Sequence, residues 1–576
     1  MSTKRRPPSP KTHHRDWLRS PFALTLASGL LLYLSFPPWG LSAVVWLAPT
    51  FWLTLIRKPE LTGRWLWGQI WAGSLVHWLL VLEGIRKAHW ANNFGWLALA
   101  GYLAVYLPLF IWLARVAVHR LRVPLVVAAP VIWTGLELVR AHMITGFSMA
   151  QLGHALVNWI ALIQISDLFG AYGVSFVVML VCAGFMQSLA EPKPLRRYWP
   201  IAVAVIVLAL TAAYGVVCLR HQTPAGARSL KVAILQGTVD KVFEFNPARN
   251  ERTFRTYLAL AEQARDLRPD LDLIVWPESV FTANTPELIV ESEPSPPEGV
   301  PLDAAEYRRR IEMTRTDFER KVRNTAERIN RIWRDGKFAT LDISQIVGCE
   351  TVVVGGTGTL DYNATLLIDS KGNLRDRYYK MHPVMFGEYV PFGDIFPWLY
   401  RLTPLPQGLS IGKSPSSFEI KGFRISPSVC FESSVPHLIR GHVAELGDQG
   451  VEPDLLVNVS DDGWFWGSAI LDFQLAGAVF RAVELRRPFL VSANAGISAL
   501  IDSRGRIVQQ GRRRNDQALL ADVPQDRQTS VYLRTGDLSS GLCLAACVAV
   551  ALYAIAARFV TKSIYRANPT GPNVAT

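Results

Sequence analysis

Apolar residues fall into two blocks with a more polar block between them. Before about residue 220, seven apolar stretches follow one another, roughly 22–36, 40–56, 65–82, 94–118, 123–139, 168–189 and 199–219. An eighth covers about 541–559. Most approach the ~20 residues a helix needs to cross a hydrocarbon core. The first two are short and flank Pro37-Pro38, so a buried helical hairpin is the alternative reading for that pair. The first stretch lacks a small-residue cleavage site and more spans follow closely, so it reads as a retained anchor.

The central block has another rhythm. Short β-type runs at 230–236, 271–276, 351–355, 364–369, 374–379, 423–429, 454–459 and 489–493 predict strands. Helices are expected over 246–266 and after Ser433 and Ser468. Strands interleaved with helices predict layered α/β packing. A Pro-rich piece at 294–301 predicts irregular chain. The charged stretch 304–333, with Arg and Glu at helical spacings, predicts a solvated helix, a mobile lid or partner contact being the alternative.

Composition sharpens the picture. The chain of 576 residues is half hydrophobic and only 19% charged, which predicts a membrane part carrying an inserted globular part. The net charge of +13 does not point to nucleic acid, for no nucleic-acid-binding motif accompanies it. Lys4, Arg5, Arg6, Lys11, Arg15 and Arg19 precede the first span, and Arg57, Lys58, Arg64, Arg115, Arg120, Arg122, Lys193, Arg196 and Arg197 lie in alternate loops. By the positive-inside rule these are cytoplasmic. The expected parts are a basic cytoplasmic N-terminus (1–20), a seven-helix transmembrane domain (21–220), a catalytic domain on the opposite face (221–537), and a final span with a cytoplasmic tail (538–576). In a bacterial inner membrane the catalytic domain is then periplasmic.

Of six cysteines, only Cys349 and Cys430 lie in the central block. A disulfide between them is one reading for an oxidising compartment. The setting of Cys430 favours another. It ends the run Phe423-Arg-Ile-Ser-Pro-Ser-Val-Cys430, and a helix is expected just beyond. A thiol attacks as its thiolate, which a helix N-terminus or a nearby cation favours. Glu278 follows a hydrophobic run and the stiff pair Trp276-Pro277. A carboxylate near a thiol can take its proton and later return it to a leaving group. Lys380 ends the run 374–379, where an ammonium could stabilise an oxyanion. Glu388 lies close behind Lys380, and Glu432 two residues beyond Cys430. Either could orient Lys380 or bind an amine; Glu388 suits a catalytic supporting role and Glu432 the architecture of the site. His382 reads as a packing or hydrogen-bonding residue, because no HxH or CxxC pattern accompanies it.

The ordered Glu, Lys and Cys resemble the nitrilase superfamily of carbon–nitrogen hydrolases. With the surrounding spans, the chain resembles the apolipoprotein N-acyltransferase family. The motifs are Val275-Trp-Pro-Glu278, Tyr379-Lys380-Met-His382 with Phe386-Gly-Glu388-Tyr389-Val-Pro391, and Ser428-Val-Cys430-Phe-Glu432. Further likeness lies in Asn458-Val-Ser-Asp-Asp-Gly-Trp464-Phe465, Arg481-Ala-Val-Glu-Leu-Arg-Arg-Pro488, Ala493-Asn494-Ala-Gly496 and Arg534-Thr-Gly536. The resemblance implies an α-β-β-α sandwich on the membrane and a two-step acyl transfer. Cys430 would take an acyl chain from the sn-1 ester of a phospholipid as a thioester. The α-amine of a diacylglyceryl-cysteine apolipoprotein would then receive it. Glu278 is the implied base, Lys380 the oxyanion stabiliser and Glu388 a further essential group. Glu432, His382, Tyr389 and Trp464 are implied to bind substrate or support the site. The implied partners are the phospholipid donor, the apolipoprotein acceptor and the bilayer, with no cofactor or metal. Two departures stand out: a long insertion between Glu278 and Lys380, and Met149 where some relatives carry an aromatic residue. The segment 146–165 is a candidate lining of the acyl entrance. The rival readings are a membrane-tethered amidase or nitrilase, which would not need the spans, and a non-catalytic scaffold, against which the intact Glu278, Lys380 and Cys430 argue.

Overall fold

The computed structural model describes residues 20–87, 89–190, 194–221, 226–241, 246–296, 301–334, 336–355, 358–393, 395–402 and 407–567. The basic residues before Ser20, Lys193 and part of the Pro-rich piece (297–300) lie outside the described residues.

All eight apolar stretches are helical. Among the described residues, five helices are long and apolar enough to cross a membrane: Asn92–Arg120, Leu125–His142, Ser166–Leu189, Arg197–Arg220 and Leu538–Phe559. Pro21–Ser35 and Leu66–Val81 are shorter. The stretch expected at 40–56 is broken into a 3₁₀ turn, Ser42–Trp46, and a helix, Thr50–Arg57. Pro49 precedes that helix, where its fixed φ and missing N–H fit a helix start.

The central block supplies the strands β1 (Ser229–Gln236), β2 (Leu273–Val275), β3 (Glu287–Val290), β4 (Arg331–Arg334), β5 (Lys337–Thr340), β6 (Ser344–Gly355), β7 (Gly358–Ile368) and β8 (Leu374–Tyr379). They continue as β9 (Phe418–Ile420), β10 (Phe423–Val429), β11 (Leu455–Asp461), β12 (Phe489–Asn494), β13 (Ala499–Ile501), β14 (Ile507–Gln510) and β15 (Gln517–Pro524). One sheet runs β15-β1-β2-β6-β7-β8, with β3 on β6; the other runs β14-β13-β12-β11-β10-β9. Parallel pairs at the centre of each, β1 with β2 and β10 with β11 and β12, send their C-terminal ends to one edge.

Alternation along the strands builds the layers. Val232 and Ile234 of β1 face the other sheet, meeting Ile425, Val429, Val457 and Val459 in one core cluster. Ala233 and Leu235 point the other way, onto Tyr257 and Ala261 of helix Pro247–Leu267 and Phe318 and Val322 of helix Ala304–Asn330. Successive strand residues face opposite sides, so one run feeds two cores. The charged stretch is thus an outer-layer helix with one apolar face. It ends at Asn330, and its expected last turn is instead β4, paired with β5.

The second sheet is covered by Pro436–Asp448 and Ile470–Leu485, which completes an α-β-β-α sandwich. Every residue of Ile470–Leu485 except Asp472 is buried. Its core is continuous with the apolar helices: Phe480 and Val483 share a cluster with Leu53, Ile111 and Val178. A helix apolar on all sides must be covered on all sides, and the apolar helices supply that cover. Polar ties cross the same junction. Arg486 pairs with Asp167 at 2.5 Å, the Ala171 N–H donates to Glu484 at 2.8 Å, and the Ser148 hydroxyl donates to the Ser434 carbonyl at 2.5 Å.

Candidate active site

Each expected reactive side chain sits just past a strand. Glu278 follows β2, with the Trp276 N–H still donating to Ile346 of β6 at 2.9 Å. A Cβ added to Gly348 would lie 2.4 Å from the Glu278 Cα, so only glycine lets this turn pass so close to β6. Lys380 follows β8, and its N–H donates to the Asn363 carbonyl at 2.8 Å. Cys430 opens a 3₁₀ turn, Cys430–Ser434, directly after β10. Its φ is +53°, and Ser279 behind Glu278 has φ +55°. Non-glycine residues in this region store about 1–3 kcal/mol each and persist only where the surroundings enforce them.

Glu278, Lys380, Glu388 and Cys430 line one cavity of about 840 Å³. The Glu278 carboxylate accepts from the Asn363 amide at 2.6 Å and from the Asp461 N–H at 2.8 Å. The Lys380 ammonium donates to both Glu388 oxygens at 2.8 Å. Glu388 also accepts from the Val384 N–H at 2.8 Å and from Asn363 at 2.9 Å. The Asn363 amide therefore bridges the two acids.

The electrostatics divide the labour. Burial pushes the Glu278 carboxyl up; Lys380 opposes, Glu388 and Asp461 add, and it reaches about 7. Burial works against the Lys380 ammonium, but Glu388, Cys430 and Glu278 outweigh it and hold its pKa above the lysine range. Burial also works against the Glu388 carboxylate, yet Lys380 and the Val384 N–H keep it below the usual range. At neutral pH the site holds a fixed ion pair beside an acid poised to gain or lose a proton. The sequence led us to expect a thiol activated by a helix start and a cation. The thiol is instead pushed well above its ordinary value by burial and by Glu278, with Lys380 opposing. The reason is local: the element starting at Cys430 is a short 3₁₀ turn, and the Lys380 charge is already engaged by Glu388. A thiol in this setting needs a neighbouring base to take its proton in order to act as a nucleophile.

Glu432 occupies a different place. It is fully buried and accepts from the Tyr378 hydroxyl at 2.9 Å and from the N–H groups of Val429 (2.7 Å), Met381 (2.7 Å) and His382 (2.9 Å). It ties the chain after Lys380 to the turn that carries Cys430. His382 lines the cavity, its ring 6.0 Å from Phe431, and burial then Lys380 lower its pKa. Trp464 lines the cavity from the turn Asp462–Phe465. Tyr389 is not in the cavity wall; its phenol faces Thr145, and its carbonyl accepts from Phe386 at 2.7 Å. Adjacent residues on one short loop need not share a face: Glu388 lines the cavity and Tyr389 does not. Cys349 and Cys430 are both free thiols. Among the described residues no cluster of three His, Cys, Asp or Glu side chains could hold a metal.

The apolar part supplies a further wall. Asn92, Gly95, Leu99 and Tyr102 of helix Asn92–Ala104, with Thr145, Phe147 and Met149, line the same cavity as Glu278, Lys380 and Cys430. Of the segment 146–165, only its first residues reach the cavity. Asn363 and Lys241 escaped the reading of the sequence, and Asp461 entered it only as part of the motif Asn458–Phe465.

Residues 28–184 match the apolipoprotein N-acyltransferase N-terminal domain, and residues 231–532 match the carbon-nitrogen hydrolase family. An apolipoprotein N-acyltransferase of Rhodopirellula baltica is 31% identical over 563 residues, covering 91% of this chain and 95% of that protein. One of Geobacter metallireducens is 30% identical over 560 residues, covering 95% and 97%. Among solved structures, a mutant of the Nesterenkonia AN1 amidase, from the nitrilase superfamily, covers 55% of this chain and 98% of its own, at 14% identity and a TM-score of 0.34. Matched in both parts and along nearly its whole length, the chain belongs to the apolipoprotein N-acyltransferase family.

Proposed function

We propose that Cys430 carries an acyl chain from the sn-1 ester of a phospholipid to the α-amine of a diacylglyceryl-cysteine apolipoprotein, with Glu278 as the base and Lys380 as the oxyanion stabiliser. The observation that carries this reading is the shared cavity: one wall is apolar helix, the other holds the Glu278, Lys380 and Cys430 side chains. An acyl chain can stay in apolar surroundings while its carbonyl meets the sulfur, and each CH₂ kept from water is worth about 0.8 kcal/mol.

In the first step Glu278 takes the thiol proton as the sulfur bonds to the ester carbonyl carbon. The oxyanion that forms faces Lys380. The bond to the glycerol oxygen breaks, that oxygen takes the proton from Glu278, and a lysophospholipid leaves. In the second step the acceptor amine attacks the thioester and gives a proton to Glu278. The carbon–sulfur bond breaks, and the thiolate recovers the proton. A thioester is more electrophilic toward an amine than an ester is, so the covalent intermediate eases amide formation. Glu388 keeps Lys380 charged and aimed throughout. Glu432 holds the two active loops together, His382 and Trp464 bound the substrate space, and Tyr389 acts through Thr145.

The parts in this reading are 1–20, 21–220, 221–537 and 538–576, in a bacterial inner membrane with the catalytic domain periplasmic. The loop charges support that orientation. A labelled-phospholipid assay tests the function. The label should appear in amide linkage on a diacylated lipopeptide. Hydrolysis of small amides without such transfer would make the protein a tethered carbon–nitrogen hydrolase instead.

A further inference from the structure

Behind the active carboxylate lies an ion pair that the mechanism above does not use. The Lys241 ammonium, on the loop after β1, sits 3.0 Å from an Asp461 oxygen and donates to the Ser279 carbonyl at 3.2 Å. Asp461 ends β11, its carboxylate is 3% exposed, and it also accepts from Asn494 at 2.7 Å and from the Gly463 N–H at 3.2 Å. The Asp461 N–H is one of the two donors on Glu278. Ser279 is the next residue in the chain and holds a left-handed backbone. One ammonium therefore reaches both supports of the base: the residue that donates to it, and the turn that presents it.

We propose that Lys241 is a positioning residue that fixes Glu278 and offsets the negative charge of Asp461 beside it. The inference rests on the reading of Glu278 as the base.

A buried carboxylate that has lost its counter-charge repels a second carboxylate close by and disfavours its ionised form. The groups acting on Glu278 come from five places. Asp461 and Asp462 lie at the end of β11, Lys380 after β8, Glu388 in the loop beyond it, Cys430 after β10, and Lys241, by way of Asp461, after β1. Asp462 cannot take over the compensation. It is itself pushed up to about 7, by burial first, with Ser460 opposing and Asp461 and Glu278 adding. Lys380 is held by Glu388. Removing the Lys241 charge thus leaves Asp461 acting on Glu278 unopposed from its own side. Glu278 then needs a higher pH to ionise, and the base is scarcer at neutrality. A merely structural lysine would lower stability or rate at every pH alike.

The test is the rate of Cys430 acylation by a phosphatidylethanolamine of defined chain length, in detergent micelles, followed by mass spectrometry from pH 5.5 to 9. The full-length wild type, Lys241→Met, Lys241→Arg and the double variant Lys241→Met/Asp461→Asn are compared, with thermal melts as a control for folding. Lys241→Met should move the acid limb of the profile upward by about one unit, a roughly tenfold loss below the limb that vanishes at high pH. Lys241→Arg should restore the limb. The double variant should regain most of the loss, because an amide in place of Asp461 needs no counter-charge and keeps the backbone N–H. A Lys241→Met profile superposable on the wild type, or a loss equal at all pH and not relieved by Asp461→Asn, overturns the proposal. If the wild type itself forms no thioester at Cys430, the reading of the site falls first, and the two failures are distinguished.

Discussion

The two outer layers of the sandwich do the same architectural job in opposite surroundings. On the first sheet, helix Ala304–Asn330 buries one stripe, Ile311, Phe318, Val322, Ala326 and Ile329, and covers the rest with Arg–Glu and Arg–Asp pairs. On the second sheet, helix Ile470–Leu485 is buried on every side, and even its Arg481 and Glu484 pair internally at 2.6 Å. The difference comes from the apolar helices, which, among the described residues, share one core with the second layer. The cavity draws on both sheets: Glu278 and Lys380 follow strands of the first, Cys430 and Asp461 lie at strand ends of the second, and the apolar part supplies a wall beside them.

The comparison breaks most visibly at the chemistry. Cys430→Ala should abolish acyl-enzyme formation while leaving the melting curve close to wild type; a thioester retained in that variant would put the nucleophile elsewhere. Glu278→Gln removes the proposed base but keeps much of its hydrogen bonding. Acylation should slow by about 10²–10⁴-fold, read in single-turnover assays at pH 7. An unchanged rate removes Glu278 from the role.

Packing gives the next effect. Phe480→Ala, in the layer buried on both sides against His154 (ring centroids 4.8 Å apart), should cost about 3–5 kcal/mol of stability by denaturant titration. A small effect would mean that the apolar helices do not cover this face. The pH dependence is smaller per unit. The base must be ionised to act, and burial raises Glu278 to about 7. Acylation should therefore be full above pH 7 and fall about tenfold per unit below it. A profile flat down to pH 5 would contradict the buried setting of Glu278. The smallest effect belongs to the solvated layer. Glu319→Ala, whose carboxylate meets only Arg315 and Arg323 at 3.9 and 3.6 Å, should change stability by no more than about 0.5 kcal/mol. A larger loss would make that layer more than a solvated cover.

Much of this was legible along the chain because the signals were local. The run ending at Gln236 is apolar over four successive residues, the run ending at Val429 is apolar at alternate positions and the run ending at Tyr379 closes on two tyrosines, and their strands lie where the pattern predicts. The strands that escaped are mostly short, such as β9 and β13, three residues each, whose identity comes from their neighbours rather than their own composition. β15 escaped despite its alternating Leu520, Ala521, Asp522 and Val523, because its pairing with β1 closes the sheet from almost 300 residues away. The burial of Ile470–Leu485 on all sides was likewise invisible, since it depends on which other part docks there.

The site divides along the same line. Glu278, Lys380 and Cys430 announce themselves at the ends of strong β runs beside stiff or tight turns. Asn363 bridges two acids only because β7 lies against β6 and the Lys380 loop. Lys241 matters only because the loop after β1 reaches the end of β11. Tyr389 shows the converse: its neighbour Glu388 lines the cavity, while its own phenol faces Thr145.

The most direct test is peptide mass spectrometry of the purified protein after incubation with a single defined phospholipid. We expect one acyl chain, of that lipid's sn-1 length, on the peptide containing Cys430, and its disappearance when a diacylated lipopeptide with a free amine is added. An acyl chain on another residue, or lipopeptide acylation with Cys430 never modified, would contradict the account.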